Sequence, residues 1–431
     1  MPHPEHGVHS IERHALPNGL RLVLHRDPTL PLVAVNLWYH VGSKDERPGR
    51  TGFAHLFEHM LFQGSAHVGT NDHFRHVQSV GGVANGSTWY DRTNYYETLP
   101  AQELELALWL ESDRMGFLLE GLTSEKLDTQ RQVVINERRQ RVDNQPYGRA
   151  SELLFEGLFP AGHPYRWPVI GTMADIESAS LDEVQAFFRR HYGPENAVLT
   201  LAGDFEPETA LASVERWFGD IPSGPAPAPV SAPLSALEAS VRLEMSDRVH
   251  LPRLYMGFRV EPFGARGWWT AFMAANLLAD GKSSPLVDDL VVREELAQDV
   301  SAYVYPTEEV GVMLIVATAR PGVDVARLES RIRLHLHRLG GNPAAPIAWS
   351  IEAELGRARR RALISIHSEL QTVDHRADLL SQYATFFDDP DRAFGEATEI
   401  ERVSESAVTR FAGSYLNAEQ AASLVVLPAG A

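Results

Sequence analysis

The chain has 431 residues, with 39 Lys and Arg against 57 Asp and Glu, which gives a formal net charge of −18 at pH 7. This acidic balance argues against nucleic acid or an anionic membrane surface as the main partner, because phosphate groups select basic surfaces. The chain contains no cysteine, which excludes a disulfide framework, a cysteine nucleophile, an iron–sulfur cluster and a thiolate zinc site. Any transition metal would therefore be bound by His, Asp or Glu.

The sequence predicts no membrane span, since no stretch approaches the ~18 consecutive apolar residues that a span requires. Its first residues, MPHPEHGVHSIERHAL, lack the apolar core of a signal peptide. We therefore expect a cytoplasmic location for the chain as it stands, and a periplasmic location if a signal peptide has been removed.

The first half alternates predicted strands and helices. Runs rich in β-branched and aromatic residues, bounded by turn signals such as Asn18-Gly19, predict strands, and apolar residues spaced three and four apart predict helices. In chain order these are strands at 20–27 and 32–42, helices at 52–63 and 71–79, a strand at 83–90, helices at 102–119, 123–143 and 181–191, and a strand at 197–202.

A Pro-rich segment divides the chain, because PSGPAPAPVSAP, within residues 222–236, cannot form a helix interior or a central strand. We predict an N-terminal domain over residues 1–221 and a C-terminal domain over residues 237–431. The second half repeats the alternation of strands and helices seen in the first. Helices are predicted at 267–279, 285–296, 324–339, 347–371 and 399–412, and strands at 253–258, 300–305 and 310–318. The fold class expected is α+β, with two homologous domains, each a mainly antiparallel sheet backed by helices.

The most specific local motif is His55-Leu56-Phe57-Glu58-His59. On a helix, positions i, i+3 and i+4 share one face, so two imidazoles and one carboxylate point the same way. Two His one turn apart can bind one Zn²⁺ and leave the Glu beside it, which suits metal-assisted peptide hydrolysis. This H-x-x-E-H order inverts the commoner H-E-x-x-H and is the inverzincin signature.

A catalytic zinc site needs a third protein ligand. Glu137 is one candidate, because its spacing from Val133 and Val134 places it on the apolar face of a predicted helix. Glu111, on the preceding predicted helix, is the alternative.

Several segments resemble the pitrilysin/insulinase-type zinc metallopeptidases, and more narrowly their short bacterial members that are similar to the mitochondrial processing peptidase. The segments are HLFEHMLFQGS, GGVANGSTWYDRTNYYETLP, VVINERRQRVDNQPYG and HPYRWPVIGTMADIESASLDEVQAFFRRHYGPENAVLTLAGDF. The resemblance covers most of the chain.

The resemblance implies a site in which His55, His59 and Glu137 bind Zn²⁺ and Glu58 is the general base. It also implies that an edge strand binds the substrate backbone, with Asn85 and Gly86 at the position of the family's Asn-Ala pair. Several family members carry an acidic residue two helical turns before the third ligand, where this chain has Gln130.

A second departure concerns the C-terminal half. Active members of the family place an Arg and a Tyr seven residues apart, facing the zinc. Here Arg293 matches the Arg, Val300 occupies the Tyr position, and Tyr303 is three residues out of register. We therefore expect a homologous non-zinc subunit to supply the Arg/Tyr pair in a heterodimer, with a homodimer as the alternative.

The function expected from the sequence is that of a zinc metalloendopeptidase subunit acting on peptides or unfolded polypeptides. One alternative is a non-catalytic scaffold, or core-type homologue, of the same family. A metal storage or transport protein is a third interpretation, but it would have no use for Glu58.

Overall fold

The computed structural model describes residues 11–342, 347, 349–417 and 420–430. Most of the segment on which the signal-peptide expectation depends lies outside these residues. No helix among them is both long enough and apolar enough to cross a membrane.

The described residues form two β-sheets and a set of helices. The strands are β1 (Ile11–Ala15), β2 (Arg21–Arg26), β3 (Leu32–Tyr39), β4 (Val83–Thr88), β5 (Thr93–Pro100), β6 (Ala197–Gly203), β7 (Val241–Asp247), β8 (Arg253–Val260), β9 (Ala297–Tyr305), β10 (Gly311–Ala319) and β11 (Ala422–Pro428). The helices are α1 (Phe53–Met60), α2 (Asp72–Ser79), α3 (Leu104–Gly121), α4 (Ser124–Arg138), α5 (Ala150–Leu158), α6 (Met173–Ser178), α7 (Leu181–His191), α8 (Pro207–Phe218), α9 (Arg266–Ala279), α10 (Val325–Leu339), α11 (Ile351–Glu369), α12 (Val373–Phe387), α13 (Glu396–Arg402) and α14 (Glu405–Tyr415).

The first compact unit comprises Met1–Asn136, Pro168–Val230 and His367–Gly395. Its sheet has the strand order β1-β2-β6-β3-β5-β4, and every pair is antiparallel except β2 with β6. Side chains alternate between the two faces of a strand. One face packs on the main core, with buried residues from α1, α3, α7 and α8, and the other face is covered by α12.

The second unit comprises Glu137–Trp167, Ser231–Ile366 and Glu396–Ala431. Its sheet has the order β7-β11-β8-β10-β9, again with one parallel pair, β11 with β7. These five strands correspond, in the same order, to β2, β6, β3, β5 and β4 of the first sheet. Each neighbouring pair has the same parallel or antiparallel orientation in both sheets. The α+β fold class with two homologous, mainly antiparallel sheets is therefore confirmed.

Each unit contains a helix from the other half of the chain. Helix α12 packs on β3 and β6 of the first sheet, and α5 packs on β7, β8 and β11 of the second. The division between the units falls after Val230, inside the Pro-rich segment 222–236, which contains neither helix nor strand. The ranges 1–221 and 237–431 stay a prediction, since each unit also takes in a segment from the opposite side of that division.

Several elements differ from the sequence-based expectations, since β1, β5, β7, β11, α5, α6, α8 and α12 were not predicted. The helix predicted at 285–296 is present but ends earlier, in the π-helix Val287–Arg293, after which β9 begins at Ala297. Strand β5 was not predicted separately, because TNYYETLP follows β4 after a short turn and carries polar residues among its aromatic ones. Strand β5 is buried because β3 and β4 pair with its two edges. The local sequence pattern of a strand does not show which strands will pair with it.

Candidate metal centre

Helix α1 presents a buried face and a polar face. Leu56, Phe57 and Met60 are fully buried in the core of the first unit, whereas His55, Glu58 and His59 are only partly buried. The predicted arrangement is therefore present, with two imidazoles and a carboxylate on one side of the helix.

The start of α1 is fixed by two residues before it. Gly52 has φ +85°, and a Cβ there would lie 2.7 Å from the carbonyl oxygen of Ile170, so only glycine fits. The carboxylate of Glu46 accepts the backbone N–H groups of Gly52 at 2.8 Å and Ala54 at 2.9 Å. These bonds satisfy donors at the helix start that have no intrahelical partner. Burial raises the pKa of Glu46 well above its usual value, although the backbone bonds oppose that change.

Glu137 lies in the last turn of α4. One of the boundaries between the two units falls just before it, but α4 is one continuous helix, so the helix sets its position. One ligand atom each of His55, His59 and Glu137 lie within 4.8 Å of one another, and the two imidazole centroids are 4.9 Å apart. An oxygen of Glu137 also lies 2.8 Å from the guanidinium of Arg141.

Glu137 lies on a face of α4 that is only partly apolar and buried. Val134 is buried, but Val133 is 40% exposed. Gln130, two turns earlier in α4, is buried.

Glu111, the alternative ligand, lies in a different cluster. It is fully buried and accepts hydrogen bonds from both Nε and Nη2 of Arg114. Glu97 accepts from Arg114 at 3.4 Å and pairs with His73 at 2.8 Å. Burial raises the pKa of Glu111 to about 8, while burial lowers that of His73 to about 3.

The sequence did not predict this buried cluster, which we call the Arg114 cluster (His73, Glu97, Glu111 and Arg114). The available signal was an acid and an Arg three residues apart on the buried face of one helix. Ligand atoms of His73, Glu97 and Glu111 also lie within 4.8 Å of one another.

Only one of the two clusters suits zinc. Tetrahedral zinc with bonds of about 2.0–2.2 Å separates its ligand atoms by roughly 3.4 Å, so His55, His59 and Glu137 could bind it after small side-chain rotations. Two His and one Glu also form an established catalytic set that leaves a fourth position open. In the Arg114 cluster the guanidinium already holds both carboxylates, so a cation would have to displace it.

The edge strand next to α1 is β4. It pairs with β5 and is the last strand of its sheet. Asn85 is exposed, while Gly86 is buried, and a Cβ there would lie 3.1 Å from Tyr95 and 3.2 Å from Phe62. A methyl group at this position would therefore crowd both rings.

The candidate Arg and Tyr residues of the second unit lie in different settings. Arg293 is largely exposed and pairs with Asp288. Val300 is buried in β9, while Tyr303 is 41% exposed. Because residues three apart on a strand point to opposite faces, the side chain of Tyr303 cannot replace one at position 300.

Comparison with protein families defines the class to which this fold and site belong. The sequence model described as insulinase (peptidase family M16) matches residues 21–163, which contain His55, Glu58, His59 and Glu137. The model described as the peptidase M16 inactive domain matches residues 178–344. The chain belongs to the M16 family of peptidases.

Among individual relatives, the zinc protease PqqE of Helicobacter pylori is 28% identical over 372 residues, covering 85% of this chain and 82% of PqqE. A crystal structure of a protease from Helicobacter pylori matches with a TM-score of 0.90 at 26% identity, covering 97% of this chain and 99% of that one. The periplasmic protease PqqL of Escherichia coli matches with a TM-score of 0.78 at 17% identity, covering 99% of this chain and 48% of PqqL.

Proposed function

We propose that this chain is a zinc-dependent endopeptidase subunit that hydrolyses peptides or unfolded polypeptides. The observation that carries the proposal is the convergence of His55, His59 and Glu137, whose ligand atoms lie within 4.8 Å of one another. Relatives named zinc proteases support the metal and the reaction class. In this proposal the three residues bind Zn²⁺ and Glu58 acts as general base.

In the proposed reaction the residues of the chain would have the following roles. Bound zinc supplies Lewis acidity, which makes a water easier to deprotonate and polarises the peptide carbonyl. Glu58, on the same face of α1 as the two His, accepts the proton of the attacking water on a carboxylate oxygen. It then donates that proton to the nitrogen of the leaving amine.

The substrate backbone would pair with β4. A strand at the end of a sheet offers N–H and C=O groups to an extended peptide, which gives affinity with little demand on side chains. Asn85 and Gly86, in the middle of β4, would lie along the bound peptide.

The alternative is a non-catalytic scaffold of the same family. The inactive-domain match to residues 178–344 and the valine at position 300 favour it. A scaffold, however, has no need for a helix face that carries two imidazoles and a carboxylate next to a third acidic ligand.

A homologous subunit without its own zinc motif would complete the site. The exposed position of Arg293 and the burial of Val300 support the view that this chain lacks the family's Arg/Tyr pair. A homodimer is the alternative assembly.

Replacing Glu58 by Gln tests the proposed reaction. The Glu58→Gln variant should keep its zinc, measured by atomic absorption, and lose about 10²–10⁴-fold in turnover of an unfolded casein or a quenched-fluorescence peptide, because an amide cannot accept the proton. Glu208→Gln, an exposed acid in α8, is the control and should retain activity. If Glu58→Gln turns over substrate as fast as the wild type, Glu58 has no part in the mechanism. If the wild type shows no chelator-sensitive cleavage even with its partner present, the scaffold alternative is favoured.

A further inference from the structure

The first unit contains a cavity of about 330 Å³ that the proposed reaction does not use. It lies between the loop that precedes α1, the first residue of α1, and helix α7. This volume is at the lower end of the range for small-molecule sites, about 300–1,000 Å³.

The acidic side chains of the cavity wall already have partners. Asp45 accepts the backbone N–H of Gly42 at 2.9 Å, and Glu46 accepts two N–H groups at the start of α1. Glu183 accepts Nε of Arg50 at 2.6 Å, and this bond lowers its pKa to about 2. Burial raises the pKa of Asp45 to about 6, so this carboxyl stays mostly ionised at pH 7 with its charge directed at the backbone N–H of Gly42.

The basic side chains of the wall are less engaged. Arg190 is exposed and makes neither an ion pair nor a hydrogen bond with any residue that the structure describes. Arg47 reaches only the carboxylate of Glu183, at 4.0 Å. Two guanidinium groups are therefore available to an anion.

His191 also lines the cavity. The residue is 4% exposed and its Nδ1 is closed off from solvent, so the carbon atoms of the ring, rather than this nitrogen, border the cavity. Burial, together with the positive charge of Arg190, lowers the pKa of His191 to about 4, so the imidazole is neutral at pH 7.

The rest of the wall is apolar. The rings of Phe53 and Phe187 lie 5.9 Å apart, and the imidazole of His191 packs 4.6 Å from Phe187. A ligand with only charge would leave this surface unused.

We propose that this cavity binds a small molecule that carries a carboxylate on an apolar body, with Arg47 and Arg190 on the carboxylate and Phe53 and Phe187 on the body. The ring of His191 packs beside Phe187 and extends the apolar wall. The ligand would touch Phe53, where the metal-bearing helix begins, and Glu46, which holds that beginning.

Calorimetric titration of the metal-free chain with benzoate tests the site without reference to catalysis. Benzoate should bind saturably at one site, and methyl benzoate, which has the same ring but no charge, should not bind. Arg190→Gln should weaken benzoate binding roughly 10-fold, because it removes a charged hydrogen bond. Arg189→Gln is the matched control, since its guanidinium is one residue away and donates to Gln185 instead.

The outcomes separate the parts of the proposal. Absence of saturable binding, equal binding of methyl benzoate, or equal losses from Arg189→Gln and Arg190→Gln would overturn the site. Inorganic phosphate that binds as tightly as benzoate would overturn the apolar part of the ligand. Arg190 is exposed, so its substitution tests the site without disturbing the core.

Discussion

Glu111 and Glu137 carry the same side chain into two different environments. Glu137 is partly buried beside two imidazoles, whereas Glu111 is fully buried and held by the guanidinium of Arg114. Glu137 is also paired with an Arg, but the side chain of Arg141 is 78% exposed and can move into solvent when a cation binds, whereas the side chain of Arg114 is 3% exposed and enclosed by the core. The difference decides which of the two glutamates we assign to zinc.

Metal content tests this assignment. Glu137→Gln should weaken zinc binding by more than about 10-fold and abolish turnover, because a neutral amide is a poor ligand. Glu111→Gln is the matched control and should retain its zinc. If Glu111→Gln loses the metal and Glu137→Gln keeps it, the third ligand is wrong.

The Arg114 cluster also predicts a pH effect on stability. Burial raises the pKa of Glu111 from its usual 4.5 to about 8, so the folded chain holds a proton that the unfolded chain releases. The free energy of unfolding should therefore fall as the pH rises from about 5 to 8, by up to roughly 1.4 kcal/mol per pH unit from this group. Denaturant titrations at several pH values should give a flatter dependence for Glu111→Gln.

Glu120→Gln serves as the control for that series, because Glu120 lies on the same helix but is exposed. It should leave the pH dependence unchanged. A wild-type stability that rises between pH 5 and 8, with Glu111→Gln parallel to it, would contradict the proton on Glu111.

The ligand residues could be predicted from the sequence to different extents. The spacing of His55, Glu58 and His59 fixes their common face on any helix, so the structure had little freedom there. Glu137 and Glu111 both lie on helices that pack in the first unit, and helical spacing cannot say which residues of other helices they meet. That information depends on tertiary packing, as does the pairing of Glu97 with His73.

At the scale of single elements, the edge strand β4 combines packing on one side with an open side. Its Gly86 packs closely on Tyr95 and Phe62, and Ser87 Oγ donates to Asn94 at 2.7 Å. These contacts hold the strand flat on β5, while no strand of the described chain pairs with its outer edge. Such an edge is suited to β-addition.

Proline substitution tests that use of β4. Of two neighbouring strand residues, one N–H faces the paired strand and the other faces outward. Ser87→Pro and Thr88→Pro should both raise KM for peptide without changing zinc content. One variant removes an N–H that would pair with the peptide. The other breaks a bond to β5, which displaces the strand, and only this variant should also lower Tm. Unchanged kinetics for both variants would overturn the edge-strand proposal.

The exchanged helices were beyond sequence-based prediction for a definite reason. No helix was predicted over the residues of α12, and an amphipathic pattern would in any case show which face is buried but not what covers it. In the structure Ala377 packs on Ala34 and Ala202, and Asp378 accepts hydrogen bonds from Asn36 and Trp38. These partners are more than 170 residues away in the sequence, where no local pattern can record them.

At the scale of the whole molecule, the proposed metal site and the proposed lack of oxyanion donors determine what kind of assembly we expect. The motif in α1 is complete, whereas β9 carries Val300 where the family has Tyr, and Tyr303 points to the other face. A tetrahedral intermediate needs donors aimed at its oxyanion, and loss of one typically costs about 3–4 kcal/mol. A partner that supplies them would change the rate rather than the metal affinity.

Reconstitution tests the assembly. The purified chain alone should bind zinc and turn over peptide slowly, and a homologous subunit without the zinc motif should raise kcat by roughly 10²-fold or more, the effect expected of one oxyanion donor. Zinc affinity should stay the same. Full activity of the chain alone, abolished by Tyr303→Phe, would instead indicate a self-sufficient homodimer.

The exchange of α12 also sets an order of events during synthesis. A ribosome releases the sheet and the metal-binding motif of the first unit early, but the helix that covers one face of that sheet ends only at Phe387. At about 5–20 residues per second, the interval from the end of α8 at Phe218 to that point lasts roughly 10–30 s. During this time the surface formed by Ala34 and Ala202 has no native cover. A nascent chain of this protein therefore carries an uncovered sheet face until α12 has left the ribosome.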